Sequence, residues 1–64
     1  MFAVGDAVSY RDISGWHGRI TDLYRATVGG HLLDMFVIYF EREKLELRVP
    51  PSRMSNLFDA FDNS

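Results

Sequence analysis

Arg19-Ile20-Thr21-Asp22-Leu23-Tyr24-Arg25-Ala26-Thr27-Val28, then Gly29-Gly30, then His31-Leu32-Leu33-Asp34-Met35-Phe36-Val37-Ile38-Tyr39-Phe40 is the stretch on which the fold of this chain turns. Both flanks are rich in β-branched and aromatic residues, which fit a pleated, half-buried surface. The two glycines between them suit the positive φ values that a two-residue primed turn demands. Residues 19–28 and 31–40 are therefore expected to pair as an antiparallel hairpin. From Leu32 to Phe40 nearly every position is apolar. That predicts a strand buried on both sides, or one whose second face covers something else, and so a central strand.

Beyond Phe40, Glu41-Arg42-Glu43 forms a polar connection, and Lys44-Leu45-Glu46-Leu47-Arg48-Val49 then alternates strictly. Leu45, Leu47 and Val49 are expected to face a core, and Lys44, Glu46 and Arg48 to face outward. Pro50-Pro51 ends this strand, because proline has no N–H for a ladder, and Pro51 suits the start of a single helical turn through Ser52-Arg53-Met54. Leu57, Phe58 and Phe61 are apolar enough to close the core, and Asp62-Asn63-Ser64 is expected to fray. On the N-terminal side, Gly5-Asp6 reads as a turn and Ala7-Val8-Ser9-Tyr10 as a short strand. Residues 11–18, with glycines at 15 and 18 and no period, read as a loop. Four or five short strands without a long helix predict an all-β fold, a small curled sheet or partly open barrel with a short helical turn after Pro51.

Sixty-four residues allow one domain, expected over 1–58 with a tail at 59–64. A chain this short buries only about 60% of its unfolded surface. There is no cysteine, so disulfides and thiolate metal sites are excluded, and nine aromatics with the aliphatics must supply the core. Seven Lys+Arg against nine Asp+Glu give a net charge of −2. Asp59 and Asp62 lie in the tail, so residues 1–58 are neutral, which argues against a nucleic-acid binder working through bulk positive charge. The longest apolar run, residues 35–40, is far below the roughly 20 residues a bilayer requires, and no basic-then-apolar leader is present. A cytoplasmic protein without a membrane partner is expected.

Catalytic and metal chemistry find little footing. His17 and His31 each have an aspartate nearby, Asp12 and Asp34, but their spacing matches no ligand pattern, so no metal or other cofactor is predicted. Ser9, Ser14, Ser52 and Ser55 lie in no nucleophile-elbow pattern, and a barrel this small offers little room for a substrate, so the chain is not expected to be an enzyme. Gly15 and Gly18 lack the Lys-Ser/Thr of a phosphate loop and read as loop glycines. Trp16 is expected to fold back as a lid on the open end of the barrel, with exposure as an aromatic anchor for a partner the other reading. Tyr10, Tyr24 and Tyr39 are either half-buried packing or a stacking platform for nucleic-acid bases. If the alternating strand 44–49 lies at an edge, its unpaired backbone groups can accept a strand from another protein, with its outward charges selecting the partner. Alternatively it is a solvated face whose charges discourage aggregation.

Three segments carry a family resemblance: Phe2-Ala3-Val4-Gly5-Asp6-Ala7-Val8-Ser9-Tyr10, Gly30-His31-Leu32-Leu33-Asp34-Met35-Phe36-Val37-Ile38-Tyr39-Phe40, and Lys44-Leu45-Glu46-Leu47-Arg48-Val49-Pro50. In order and spacing they resemble the RNA-polymerase-interacting domain of the CarD family, a module also found in the bacterial transcription-repair coupling factor. The Leu-Arg-Val-Pro run at 47–50 is the most specific element. The resemblance implies an SH3/Tudor-like five-stranded barrel that adds its edge strand to the β lobe of bacterial RNA polymerase. Arg48 matches the family arginine that contacts the lobe, with Glu46 and Leu47 beside it on the strand. A second basic contact of some members aligns with Ala26, next to Arg25. After the first strand the family pattern Tyr-Pro-x-His-Gly-x-Gly is replaced by a longer loop without the proline, in which Trp16 and His17 are candidate contacts. Full CarD-type proteins continue into a helical domain that contacts promoter DNA, so only the polymerase-binding half is expected here, and no direct DNA binding from it.

The expected function is thus non-catalytic docking on the RNA polymerase β subunit through Arg48, Glu46, Leu47 and Arg25, by a monomer or weak dimer. Two alternatives belong to other classes. One is a KOW- or Tudor-like barrel binding an RNA or DNA backbone through Arg11, Arg19 and the tyrosines. The other is a structural domain that associates with itself through the same edge.

Overall fold

The glycines at 29 and 30 adopt φ values of 59° and 82°, the left-handed conformation that an L side chain resists. They turn β2 (His17–Val28) directly into β3 (His31–Phe40), which pair antiparallel from Val28↔His31 back to Arg19↔Tyr39. The computed structural model describes residues 2–57. Within them β1 (Ala7–Tyr10), β4 (Leu45–Val49) and β5 (Met54–Asn56) complete one antiparallel sheet in the order β4-β3-β2-β1-β5. None of the helices among the described residues is long and apolar enough to cross a membrane.

Strand order dictates curvature. In a flat sheet five strands wide, the outermost strands would lie about 19 Å apart. Yet β4 and β5 are the two outermost strands and are successive in the chain, joined by Pro50 and the 3-10 turn Pro51–Arg53. Such a turn rises only about 2 Å per residue, so the sheet must curl until its edges approach. The result is the expected partly open barrel with a helical turn after Pro51. Its core gathers Val8, Ile20, Phe36, Ile38, Phe40, Val49 and Met54, contributed by every strand. Phe2, Tyr10, Trp16, Leu45 and Leu47 pack around that cluster.

Several local expectations are corrected. The 11–18 loop ends at Trp16, and His17 and Gly18 already belong to β2. Gly18 serves close packing: a Cβ there would sit 2.6 Å from Ile38 Cγ2 and 2.7 Å from the Tyr39 carbonyl oxygen. Met54 leaves the helical turn and enters β5 as a core residue. Lys44 precedes β4 in a turn, at a φ of 56°. Of the long apolar run, residues 36–38 and 40 are buried, but Leu32 and Leu33 are exposed, because β4 flanks β3 only from Phe36 to Phe40. β3 is an interior strand, although the middle of the five is β2. Leu57 is half-buried beside Tyr39 and Ala7, whereas Phe58, Phe61 and the boundary with the tail lie outside the described residues.

A β-bulge sets which face each later residue of β2 occupies. The pairing steps from Ile20↔Ile38 to Asp22↔Val37, leaving Thr21 as the extra residue. Strict alternation from Ile20 would aim Asp22 and Tyr24 at the core side. The bulge turns them outward and places Leu23 opposite Phe36 instead.

Candidate docking edge

Among the described residues, β4 is a terminal strand, paired with β3 alone. Leu45, Leu47 and Val49 alternate toward the core, with Val49 buried and the two leucines half-buried. Glu46 and Arg48 stand on the outer face, their side chains 47% and 60% exposed and 3.5 Å apart in an ion pair. Strand parity adds a second property. An antiparallel ladder alternates residues that bond their neighbour with residues that do not. The two-residue turn at 29–30 makes Val28 and His31 a bonded pair, so odd-numbered residues of β3 bond β2 and even-numbered ones bond β4. Leu45, Leu47 and Val49 are the partners of Phe40, Ile38 and Phe36. Glu46 and Arg48 therefore direct their own N–H and C=O groups at the open edge. Pro50, next in that parity, has no N–H and closes the donor row.

The outer face extends inward from this edge in register. Glu46 lies opposite Tyr39, Tyr39 opposite Arg19, and Arg19 opposite Ala7; in the next row Arg48 lies opposite Val37, and Val37 opposite Asp22. Tyr39 is 41% exposed, and Val37 is buried between its charged neighbours. A shallow cleft of about 300 Å³ opens on this face, walled by Tyr39, Glu41, His17, Arg19 and Leu57. Tyr39 and Val37 are absent from the contacts expected from sequence, yet their alternation with Phe36, Ile38 and Phe40 marks them for the outer face.

The expected site residues are only partly brought together. Glu46 and Arg48 share a face, and Leu47 between them points to the core side. Arg25 stands on the face of Leu23 and Phe36, opposite Asp34, to which its Nε donates a 3.1 Å hydrogen bond. Ala26 is the residue that shares the outer side with Val37 and Arg48, as a consequence of the bulge at Thr21. Trp16 is turned inward, its ring 5.2 Å from that of Phe40, which is the lid arrangement. His17 is exposed and borders two clefts, the second with Gly15, Arg42 and Glu43.

The elements of a nucleic-acid platform are dispersed. Tyr10 packs on Phe40 at 6.1 Å between ring centres and donates its hydroxyl to Asp12 at 3.1 Å, while Tyr24 and Tyr39 lie on the outer face. Arg19 donates to the Gly5 carbonyl, and Arg11 to the Ser52 carbonyl at 3.4 Å. Compared with known proteins, the chain gives no significant match to a family model, a curated protein or a solved structure.

Proposed function

We propose that this chain is a non-catalytic docking module that takes an extended strand of another protein onto β4, and that the partner is the β subunit of bacterial RNA polymerase. The observation that carries the proposal is the open edge of β4, where Glu46 and Arg48 offer both outward side chains and unbonded backbone groups. Strand addition draws its affinity from main-chain hydrogen bonds and its selectivity from flanking side chains. The exposed Glu46–Arg48 ion pair contributes little by itself, so Arg48 can exchange Glu46 for a carboxylate on the partner at small cost. The choice of polymerase rests on the resemblance of residues 30–40 and 44–50 to the CarD-type module.

Calorimetric titration with an isolated β-lobe fragment tests this. Saturable binding is expected, lost on Arg48→Glu while the circular dichroism spectrum is unchanged. A folded Arg48→Glu variant with undiminished affinity would remove the β4 edge from the interface. A duplex DNA control separates the backbone-binding alternative, whose affinity would fall steeply with salt.

A further inference from the structure

The distal half of the β2–β3 hairpin stands clear of the other strands. β1 pairs with β2 only as far as Arg19, and β4 pairs with β3 only from Phe36 onward. Among the described residues, 22–35 therefore form a two-stranded arm with an open edge on each side. A two-stranded ribbon is marginal in water unless further strands join it. The arm also carries much of the exposed apolar surface: Leu32 is 68% exposed, Val28 52% and Leu23 45%. From Leu23 to Met35 the only charged side chains are Arg25 and Asp34, which pair with each other at 3.1 Å.

We propose that the open edge of β3 in this arm, residues 31–35, is occupied by the same edge of a second copy, giving a two-fold dimer through antiparallel strand pairing. The edge suits itself. By ladder parity Leu32 and Asp34 aim their free backbone groups outward, and both are exposed. A two-fold axis at Leu32 sets leucine against leucine, His31 against Leu33 and Asp34 against Gly30, with no like charges opposed. An axis at Asp34 would oppose two carboxylates and is disfavoured. Since Arg25 and Asp34 cancel within residues 23–35, and Asp22 stands at the base of the arm away from the proposed contact at 30–34, the paired segments do not repel although the chain carries −2. The same neutrality gives a charged partner nothing to select, in contrast to the Glu46–Arg48 edge. Pairing about a two-fold axis is closed, so it stops at the dimer. It leaves the outer edge of β4 open in each copy, and the dimer would present two docking edges.

Sedimentation equilibrium of the whole chain, alone and as Leu32→Lys, is the test. The wild-type mass is expected to rise with concentration from 7.4 kDa toward twice that value, and the variant to stay at 7.4 kDa. Leu32 is too exposed for lysine to disturb the core, and circular dichroism checks this. As the chain has no cysteine, Leu32→Cys offers a second measurement. Opposed residues of a bonded antiparallel pair lie within disulfide range, so mild oxidation should link Leu32→Cys chains rapidly and Glu46→Cys chains not. A wild type that stays monomeric up to its solubility limit would overturn the proposal. So would a dimer that survives Leu32→Lys, or one cross-linked through position 46 instead.

Discussion

Asp12 and Arg53, 41 positions apart in the chain, meet in a charge-assisted hydrogen bond that ties the 11–16 loop to the 3-10 turn. The Arg11 N–H donates to the Arg53 carbonyl at 2.8 Å, and the Tyr10 hydroxyl donates to Asp12 at 3.1 Å. The 11–16 loop is thereby fastened to the segment that crosses between the two sheet edges.

This cluster makes stability depend on acid. The Arg53 hydrogen bond, helped by that from Tyr10 and opposed by partial desolvation, holds the Asp12 carboxyl below its ordinary range. The unfolded chain then binds this proton more readily than the folded one, so the contribution is complete above the usual carboxylate value, about 4, and is lost as pH falls through the lower folded value. Arg53→Ala should move the Asp12 titration upward and shrink that acid-side loss. Carbon-detected NMR titration of the Asp12 carboxyl measures the shift; an unmoved titration would show that Arg53 is not its cause.

Gly18→Ala should destabilise the fold by about 1–3 kcal/mol, the usual cost of overpacking a close-packed site. The new methyl would press on the Tyr39 carbonyl, which belongs to a paired strand and has no easy way to yield. Urea denaturation followed by Trp16 fluorescence reads the change, with a lowered midpoint at unchanged slope as the expected result.

Lys44→Gly should act in the opposite direction. Lys44 holds a φ of 56°, a left-handed conformation costing an L residue about 1–2 kcal/mol, part of which glycine returns to the entropy of the unfolded chain. A net gain of about 0.5–1 kcal/mol is expected from thermal and urea unfolding.

Arg48 and Arg25 should separate cleanly in binding. Arg48→Ala is expected to weaken β-lobe affinity about 10- to 100-fold, the range of a hydrogen bond to a charged group. Arg25→Ala should leave it within twofold, because Arg25 stands on the opposite face and is engaged by Asp34. Equal losses from both would place the interface on the hairpin arm as well as on β4.

The hairpin and β4 were legible from sequence because local chemistry dictates them: Gly29-Gly30 admits positive φ values, and residues 45–49 alternate without interruption. The facing of Arg48 and Glu46 followed from the same alternation. What escaped was decided by tertiary packing. Thr21 has no residue-level mark of a bulge, yet its extra position moves Arg25 off the face of Arg48. β5 is only three residues long, Met54–Asn56, too short for a period, and exists because β1 offers it an edge. Leu32 and Leu33 read as core because residue type cannot reveal that β4 ends its pairing at Phe36.

The pairing of β1 with β5 joins Val8 to Asn56, Ser9 to Ser55 and Tyr10 to Met54. β1 therefore has to wait for β5, distant from it along the chain, before the barrel can close. The β2–β3 hairpin, whose contacts are local, can form well before that moment, whereas closing the long loop between the ends carries the larger entropy cost. The apolar hairpin can thus stand ready while β1 still lacks its second neighbour, and closure of the barrel becomes a late event of folding.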